Sequence, residues 1–378
     1  MDVSTRVVPA VRAVPMERGR LLPVDWLRGL VMVLMTVDHS SSAFNAGRLF
    51  GDSARSWVPG TALPAAQFFT RWITHLCAPT FLFLSGYSLH ISVQRRRRDG
   101  ASEADITRFI FARGLLIAAL DPLWMVFVHR GELVLQVLYA IGVSMMALAF
   151  LRRLPARVCG ALGLLLVVLH EALAGALARV DGPARALVVL ALVPGQAGPF
   201  PVWYPFVPWL AVMLLGWAAA DMARRQPESF PARLVLASGV ALLVFAVVRG
   251  LNGYGNGGLI REDGTLIQWL HTAKYPASLS YLACELGIAW LLLAALWTSA
   301  LPRWVGAPLR VLGQSAFFFY LLHAHLLRLG AWAMGLLHAG GLPATYLAAA
   351  VVIVGLLPLC ERFREYKVAH PGSLAQYI

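Results

Sequence analysis

The sequence predicts an all-α, polytopic transmembrane helix bundle of about ten spans with its N- and C-termini cytoplasmic, and three observations carry that expectation. The 378 residues are 59% apolar and 13% charged, with mean hydropathy +0.68, about half the charge of an average soluble domain. The apolar runs reach the roughly 20 helical residues needed to cross a hydrocarbon core of about 30 Å. The positive charges, 30 Arg with only Lys274 and Lys367, fall mostly in alternate connecting segments. A soluble two-domain protein, a disordered chain and a disulfide scaffold are excluded. Cys77, Cys159, Cys284 and Cys360 lie scattered on apolar stretches without ligand spacing, so they read as small core residues and no metal is expected.

The first span, 24–45, follows a basic N-terminal segment as a signal sequence would, but it contains Asp25, Arg28, Asp38 and His39. A cleaved apolar region does not carry those charges, so the helix is read as retained. The second, 68–92, contains Arg71, His75 and Pro79 and stops at the run Arg95 to Arg98. That run suits a topology anchor touching anionic lipid better than a nucleic-acid site, because no soluble aromatic-interleaved domain accompanies it. Spans 109–128 and 133–151 follow, the latter ending on Arg152 and Arg153, and then 158–178 with His170 and Glu171. The segment 179–203, rich in Pro, includes an apolar stretch at 186–193 too short to span, a candidate re-entrant or surface half-helix. Spans 204–222 and 234–250 are separated from 277–299 by the Gly-rich segment 251–276, and 309–329 and 345–360 complete the set.

With the N-terminus inside, twenty of the thirty-two positive groups fall on inner segments and seven on outer ones, Arg130 among the latter. The expected organisation is a basic cytoplasmic segment 1–22, a single transmembrane domain 23–361 and a cytoplasmic tail 362–378.

Ionisable groups inside spans are expensive and mark sites by default. At about 1.5 Å per residue, Asp38, His39, Arg71, His75, Asp121, His170, Glu171, Glu285, His323 and His325 all fall in the outer half, which implies one polar cavity opening there. On the first helix Asp25, Arg28, Met32, Met35 and His39 lie within about 80° of arc, with His39 about 16 Å beyond Arg28. One face could therefore line a path between the two sides, although Asp25 and Arg28 at i and i+3 also suit a plain interfacial ion pair. Arg71 and His75 share a face at i and i+4, and Pro79 leaves the carbonyl of His75 without its helical donor.

The motifs RLLPVDWLRGLVMVLMTVDH (residues 20–39), FFTRWITHLCAPTFLFLSG (68–86), FVPWLAVMLLG (206–216), TAKYPASL (272–279), LGQSAFFFYLLH (312–323) and CERFREYK (360–367) resemble, in order, the bacterial members of the heparan-α-glucosaminide N-acetyltransferase-like family of multi-pass membrane acyltransferases. The resemblance implies transfer of an acyl group, acetyl in the family, from cytosolic acyl-CoA (acetyl-CoA) through the bundle to a hydroxyl or amine of an extracytoplasmic acceptor, a glycan or small molecule. It implies a bacterial inner-membrane protein whose partners are the lipid bilayer, acyl-CoA and that acceptor, with no nucleic acid; a homodimer is compatible with it. The family's His in the loop after the first helix has no counterpart, since residues 46–67 contain no His, so covalent acyl-His and direct transfer both stay open.

Acyl transfer from a thioester needs a base and donors for the developing oxyanion. His39 or His75 is the expected base, with Asp38 or Asp121 holding its tautomer. The residues expected around the donor are Arg28, Arg71, Lys274, Tyr275 and His323. The rival class is a transporter or flippase for a small polar or glycolipid solute, in which the same cavity binds without chemistry; no internal repeat supports it.

Overall fold

A computed structural model describes residues 16–17, 20–129 and 131–378. Arg6, Arg12, Arg18 and Arg130, and with them most of the expected basic segment 1–22, lie outside the described residues. The chain is helical almost throughout: α1 (Leu22–Phe44), α2 (Ala65–Ile73), α3 (Cys77–Arg98), α4 (Glu103–Trp124), α5 (Val137–Leu151), α6 (Ala156–Ala176), α7 (Ala184–Ala191), α8 (Phe206–Arg225), α9 (Phe230–Leu251), α10 (Leu266–Leu270), α11 (Leu279–Thr298), α12 (Arg303–Gln314), α13 (Ala316–Ala333) and α14 (Leu342–Ala369). Two short antiparallel ribbons, Met16–Glu17 with Arg20–Leu21 and Gly195–Ala197 with Phe200–Val202, are the strands among the described residues. The expected half-helix is present as α7.

Seven of these helices are long and apolar enough to cross a membrane, and eight if the bent pair α12–α13 is one span. The expectation of about ten also counted α1, whose length suffices but whose Asp25, Arg28 and Asp38 make it costly in lipid unless its neighbours cover it, and α5, which has only 15 residues. One expected helix is corrected: 309–329 is not a single rod. It breaks at Ser315, where α12 and α13 diverge by 90°. Ser315 Oγ donates back to Val311 O at 2.7 Å, a bond that draws a helical carbonyl aside and favours a bend. In α2–α3 the chain passes through a short 3-10 turn, Thr74–Leu76, and the carbonyl of His75 freed by Pro79 accepts Tyr281 Oη of α11 at 2.9 Å.

Lipid gives helices no hydrophobic reason to associate, so close backbone approach has to. Three pairs achieve it through facing glycines. A Cβ on Gly29 of α1 would stand 2.0 Å from Leu309 O, and one on Gly313 of α12 would stand 2.0 Å from Asp25 O. In α3 and α8, Gly86 and Gly216 face Met213 O and Phe83 O at 1.9 Å each, and Gly114 of α4 and Gly142 of α5 face each other's carbonyls at 2.6 and 2.3 Å. The α3–α8–α11 core is thereby compact, while α6, α9 and α14 turn most of their surface outward.

Because the atom in the way at Gly86 is backbone, Gly86→Ala is expected to destabilise the protein by about 1–3 kcal/mol, read as a lower Tm in detergent. Gly239→Ala on α9, where nothing lies within 4 Å, is expected to hold or raise Tm through helix propensity. Equal Tm values for the two variants would contradict the glycine-contact reading.

Candidate functional site: a polar junction between two cavities

The face of α1 that carries Arg28, Met32, Met35 and His39 lines a cavity of about 320 Å³ together with Ser85 and Ser88 of α3, Arg113 and Ile117 of α4, Met145 of α5 and Gln314, Phe317 and Tyr320 of α12–α13. One end is basic: Arg28 and Lys367 line it from the ends of α1 and α14 that share a side with the Arg95 to Arg98 run, and Arg113 lines the cavity from midway along α4. A second cavity, about 470 Å³, is built from the opposite connecting segments and is lined by Arg48, Phe50, Asp52, His129, Glu132, Trp203, Tyr275 and Arg328. Both cavities are lined by Asp38, His39, Val137, Tyr204, Lys274 and Tyr320. They abut at that ring.

At the ring His39 Nδ1 lies 2.8 Å from His323 Nε2, the two imidazoles parallel within 7°. His323 Nδ1 lies 3.0 Å from Phe319 O, and a carbonyl only accepts, so that nitrogen carries a proton. In the neutral ring His323 Nε2 then accepts, His39 Nδ1 donates to it, and His39 Nε2 is left with its lone pair. His39 Nε2 makes no hydrogen bond among the described residues. The tautomer is set by one carbonyl through a chain of two rings.

Beside His39 is a buried charge cluster. Arg71 donates Nε at 2.7 Å and Nη2 to Asp52, and Nη1 to Asp38. Arg48 reaches Asp38 Oδ1 at 2.9 Å and its carbonyl at 2.7 Å. Asp52 sits in the loop after α1, where burial alone would raise its pKa; Arg71 and then His75 outweigh that and hold it below the carboxylate range. Asp52 O accepts Lys274 N at 2.8 Å and Ser53 Oγ donates to Tyr275 O at 2.6 Å, so the loop after α1 and the segment before α11 dock on one another. Lys274 is 5% exposed, lines both cavities and makes no ion pair or side-chain hydrogen bond among the described residues.

Several expectations need correction. Asp38 does not hold the tautomer of His39: its carboxylate is taken by Arg48, Arg71 and Thr74, and His323 does that work. Asp121 is not at the site either, since it accepts Gln136 N at 2.5 Å and Tyr139 N at 2.9 Å and caps α5. His75 lines neither cavity and lies 3.4 Å from Asp52. His323, placed with the donor on sequence grounds, is buried behind His39 and lines neither cavity. Arg28 does face the basic end, yet it also pairs with Asp25 at 3.1 Å and reaches Ser88 Oγ at 2.5 Å. Tyr275 lines only the second cavity, as does Arg71. The single outer polar cavity inferred from depth is divided: His170 bonds Ala277 O, Glu171 accepts Leu279 N and Gly257 N, and His325 bonds Trp124 O.

Sequence reasoning missed Arg48, Asp52 and Arg249. The first two are loop residues, and a charge in a loop reads as solvated. Arg249 is wholly buried and donates to Trp269 O, Asn256 Oδ1, Leu259 O and Gln268 O, which fastens the Gly-rich segment that leads to Lys274. The signal available was its place at the end of an apolar span immediately before NGYGNGG.

Removing one partner of a buried ion pair leaves the others uncompensated, at a cost of about 3–5 kcal/mol. Arg71→Met is therefore expected to lower Tm sharply, and the triple variant Arg71→Met, Asp38→Asn, Asp52→Asn to recover much of that loss. A Tm for Arg71→Met within error of the parent would contradict the clamp.

The family model described as heparan-alpha-glucosaminide N-acetyltransferase, catalytic, matches residues 20–247, which include the His39 stripe, the Arg71 clamp and the α3–α8 core. A search of curated proteins returns no match. A chain matched over more than half its length, with the matched part building the cavity wall, belongs to the heparan-alpha-glucosaminide N-acetyltransferase catalytic family.

Proposed function

We propose that this membrane acetyltransferase takes its acyl group from acyl-CoA bound at the basic end of the first cavity and delivers it to a hydroxyl or amine acceptor, of glycan or small-molecule type, bound in the second. The observation that carries the reading is the meeting of two cavities from opposite ends at His39, Tyr204, Lys274 and Tyr320. Arg28, Arg113 and Lys367 suit the phosphates of a coenzyme A, and Met32, Met35, Ile117 and Met145 suit the linear arm behind them. About 320 Å³ is at the small end of ligand pockets, so an arm, not a nucleotide, threads it. By the charge asymmetry of the connecting segments the basic end faces the cytoplasm, which for a bacterial chain is the inner membrane.

In the direct route the acceptor heteroatom attacks the thioester carbonyl carbon while its proton passes to His39 Nε2. The carbonyl oxygen becomes an oxyanion within reach of Lys274, whose ammonium has no competing carboxylate bond. Collapse re-forms the carbonyl and breaks the C–S bond; the departing thiolate takes the proton back from His39. Throughout, His323 and Phe319 O keep His39 Nδ1 protonated, so the same nitrogen Nε2 accepts and returns the proton. Arg48 and Arg71 hold the Asp38 carboxylate and keep it from swinging onto the ring, where it would retain the proton. His75 acts at one remove, through Asp52.

Labelled acetyl-CoA and an acceptor panel on opposite sides of proteoliposomes test this. His39→Ala is expected to lower kcat by about 10²–10⁴, and Lys274→Met by about 10²–10³, with KM for acetyl-CoA little changed. His75→Gln is expected to keep most of kcat. Retained acyl transfer in His39→Ala would defeat the proposal, and acceptor movement without acylation would favour the transporter class. Arg28→Met gives a separate outcome: KM for acetyl-CoA rises while kcat holds, the signature of lost uniform binding. For His323, Phe in its place is expected to lower kcat without raising KM, and Gln, which can still accept from His39 Nδ1, to restore part of it.

A further inference from the structure

A third cavity, about 1100 Å³, plays no part in that chemistry. It lies between α6, α8, α9 and α11 and is walled by small and aliphatic side chains, among them Gly160, Ala218, Ala237, Ala241, Leu282 and Leu286. Its size is at the upper limit of ordinary small-ligand pockets. It is open sideways between α6 and α9, where Leu164, Leu236 and Val240 are more than half exposed.

Two features give the cavity a direction. Its mouth is charged, with Arg157 at the start of α6, Arg225 at the end of α8 and Arg233 near the start of α9. Three helices thus bring guanidinium groups to one spot. The carboxylate among them is Asp221, already held by Arg224 at 2.8 Å and Arg225 at 2.6 Å, with His90 Nε2 3.7 Å away. Arg157 makes no hydrogen bond or ion pair among the described residues, and Arg233 reaches only Ser229 Oγ at 3.2 Å and the sulfur of Met222. The far end is shut. Tyr254 Oη donates to Val168 O, Glu171 accepts Leu279 N, and His170 Nε2 meets Ala277 O at 2.7 Å, so α11 begins at the depth of His170. From Arg157 to Val168 the cavity runs about 16 Å along α6 at 1.5 Å per residue, half of a hydrocarbon core of roughly 30 Å.

We infer that this is a binding site for one glycerophospholipid with an anionic headgroup, its phosphate among Arg157, Arg225 and Arg233 and its acyl chains in the blind groove. A site that is basic at one end, apolar along its length, closed after one leaflet and open sideways to the bilayer has the shape and charge of that molecule. A zwitterionic lipid fills the groove equally well but leaves the net positive mouth unneutralised, so the headgroup decides the preference.

The test uses the full chain in nanodiscs containing phosphatidylglycerol and phosphatidylcholine of identical acyl chains, followed by native mass spectrometry after lipid stripping. One phosphatidylglycerol per chain is expected to be retained in preference to phosphatidylcholine. Each of Arg157→Gln and Arg233→Gln is expected to weaken that retention about fivefold, without loss of Tm because both are surface groups. Ala241→Trp, which fills the groove and alters no charge, is expected to displace it as well. Arg95→Gln with Arg98→Gln, at the same end but outside the groove, is expected to leave retention unchanged. Equal retention of the two lipids, or undiminished retention in the Arg157→Gln, Arg233→Gln double variant, would overturn the assignment.

Discussion

The guanidinium of Arg71, bonded to Asp38 on α1 and to Asp52 in the loop that follows it, is the interaction on which the rest of the site hangs. Three consecutive pieces of chain, the end of α1, the loop after it and α2, are folded back on one another there. Asp38 precedes His39, so its pairing sets the rotation of the C-terminal end of α1. Asp52 passes the constraint on, because its carbonyl receives Lys274 N. Base and cation of the proposed reaction are therefore placed by one clamp. The clamp also settles the electrostatics, since two buried carboxylates next to a histidine would otherwise draw a proton onto it; with Arg48 and Arg71 in place they are neutralised by groups that do not titrate near pH 7.

The clamp works only on a frame that does not drift. In a bilayer that frame comes from backbone contact, and the facing glycines supply it at α1–α12, α3–α8 and α4–α5. The α1–α12 contact has a second consequence. With Gly313 pressed on the backbone of Asp25, α12 runs along the N-terminal half of α1, and a straight continuation would carry the following residues away from the junction. The 90° turn at Ser315 redirects α13 and puts Tyr320 and His323 against His39.

How much of this was legible beforehand depends on whether a feature is local. The stripe Arg28, Met32, Met35, His39 is a periodicity within one helix, and it does line one cavity. The i, i+4 pair Arg71 and His75 and the freed carbonyl at His75 are likewise local, although the carbonyl's partner, Tyr281, is not. What the sequence could not show is which charges share a space. Asp121 and Asp38 look alike in depth, yet one caps α5 and the other meets Arg71, a difference made by tertiary packing. Asp52 and Arg48 lie in the loop 45–64, whose folding back into the bundle leaves no periodic mark, and the bend at Ser315 rests on a side-chain bond to Val311 O that a serine in a straight helix can make as well.

The same distinction explains why His323 reads from sequence as a donor-binding residue and stands behind His39, the proposed base, in the structure. A histidine on an apolar helix offers two nitrogens, and its role follows from what each one faces. Phe319 O, one turn earlier on the same helix, claims Nδ1 as a local event that any helical histidine could arrange. The assignment becomes functional only because Nε2 then meets His39 Nδ1 and not water. In a low-dielectric bundle that choice is consequential: an imidazole whose inner nitrogen is held protonated by a neutral chain keeps its outer lone pair for the acceptor, whereas a carboxylate in the same position would hold the imidazolium and retain the proton. The neutral pair His39–His323 beside a neutralised Asp38 therefore suits a base that must accept a proton and give it back within one turnover.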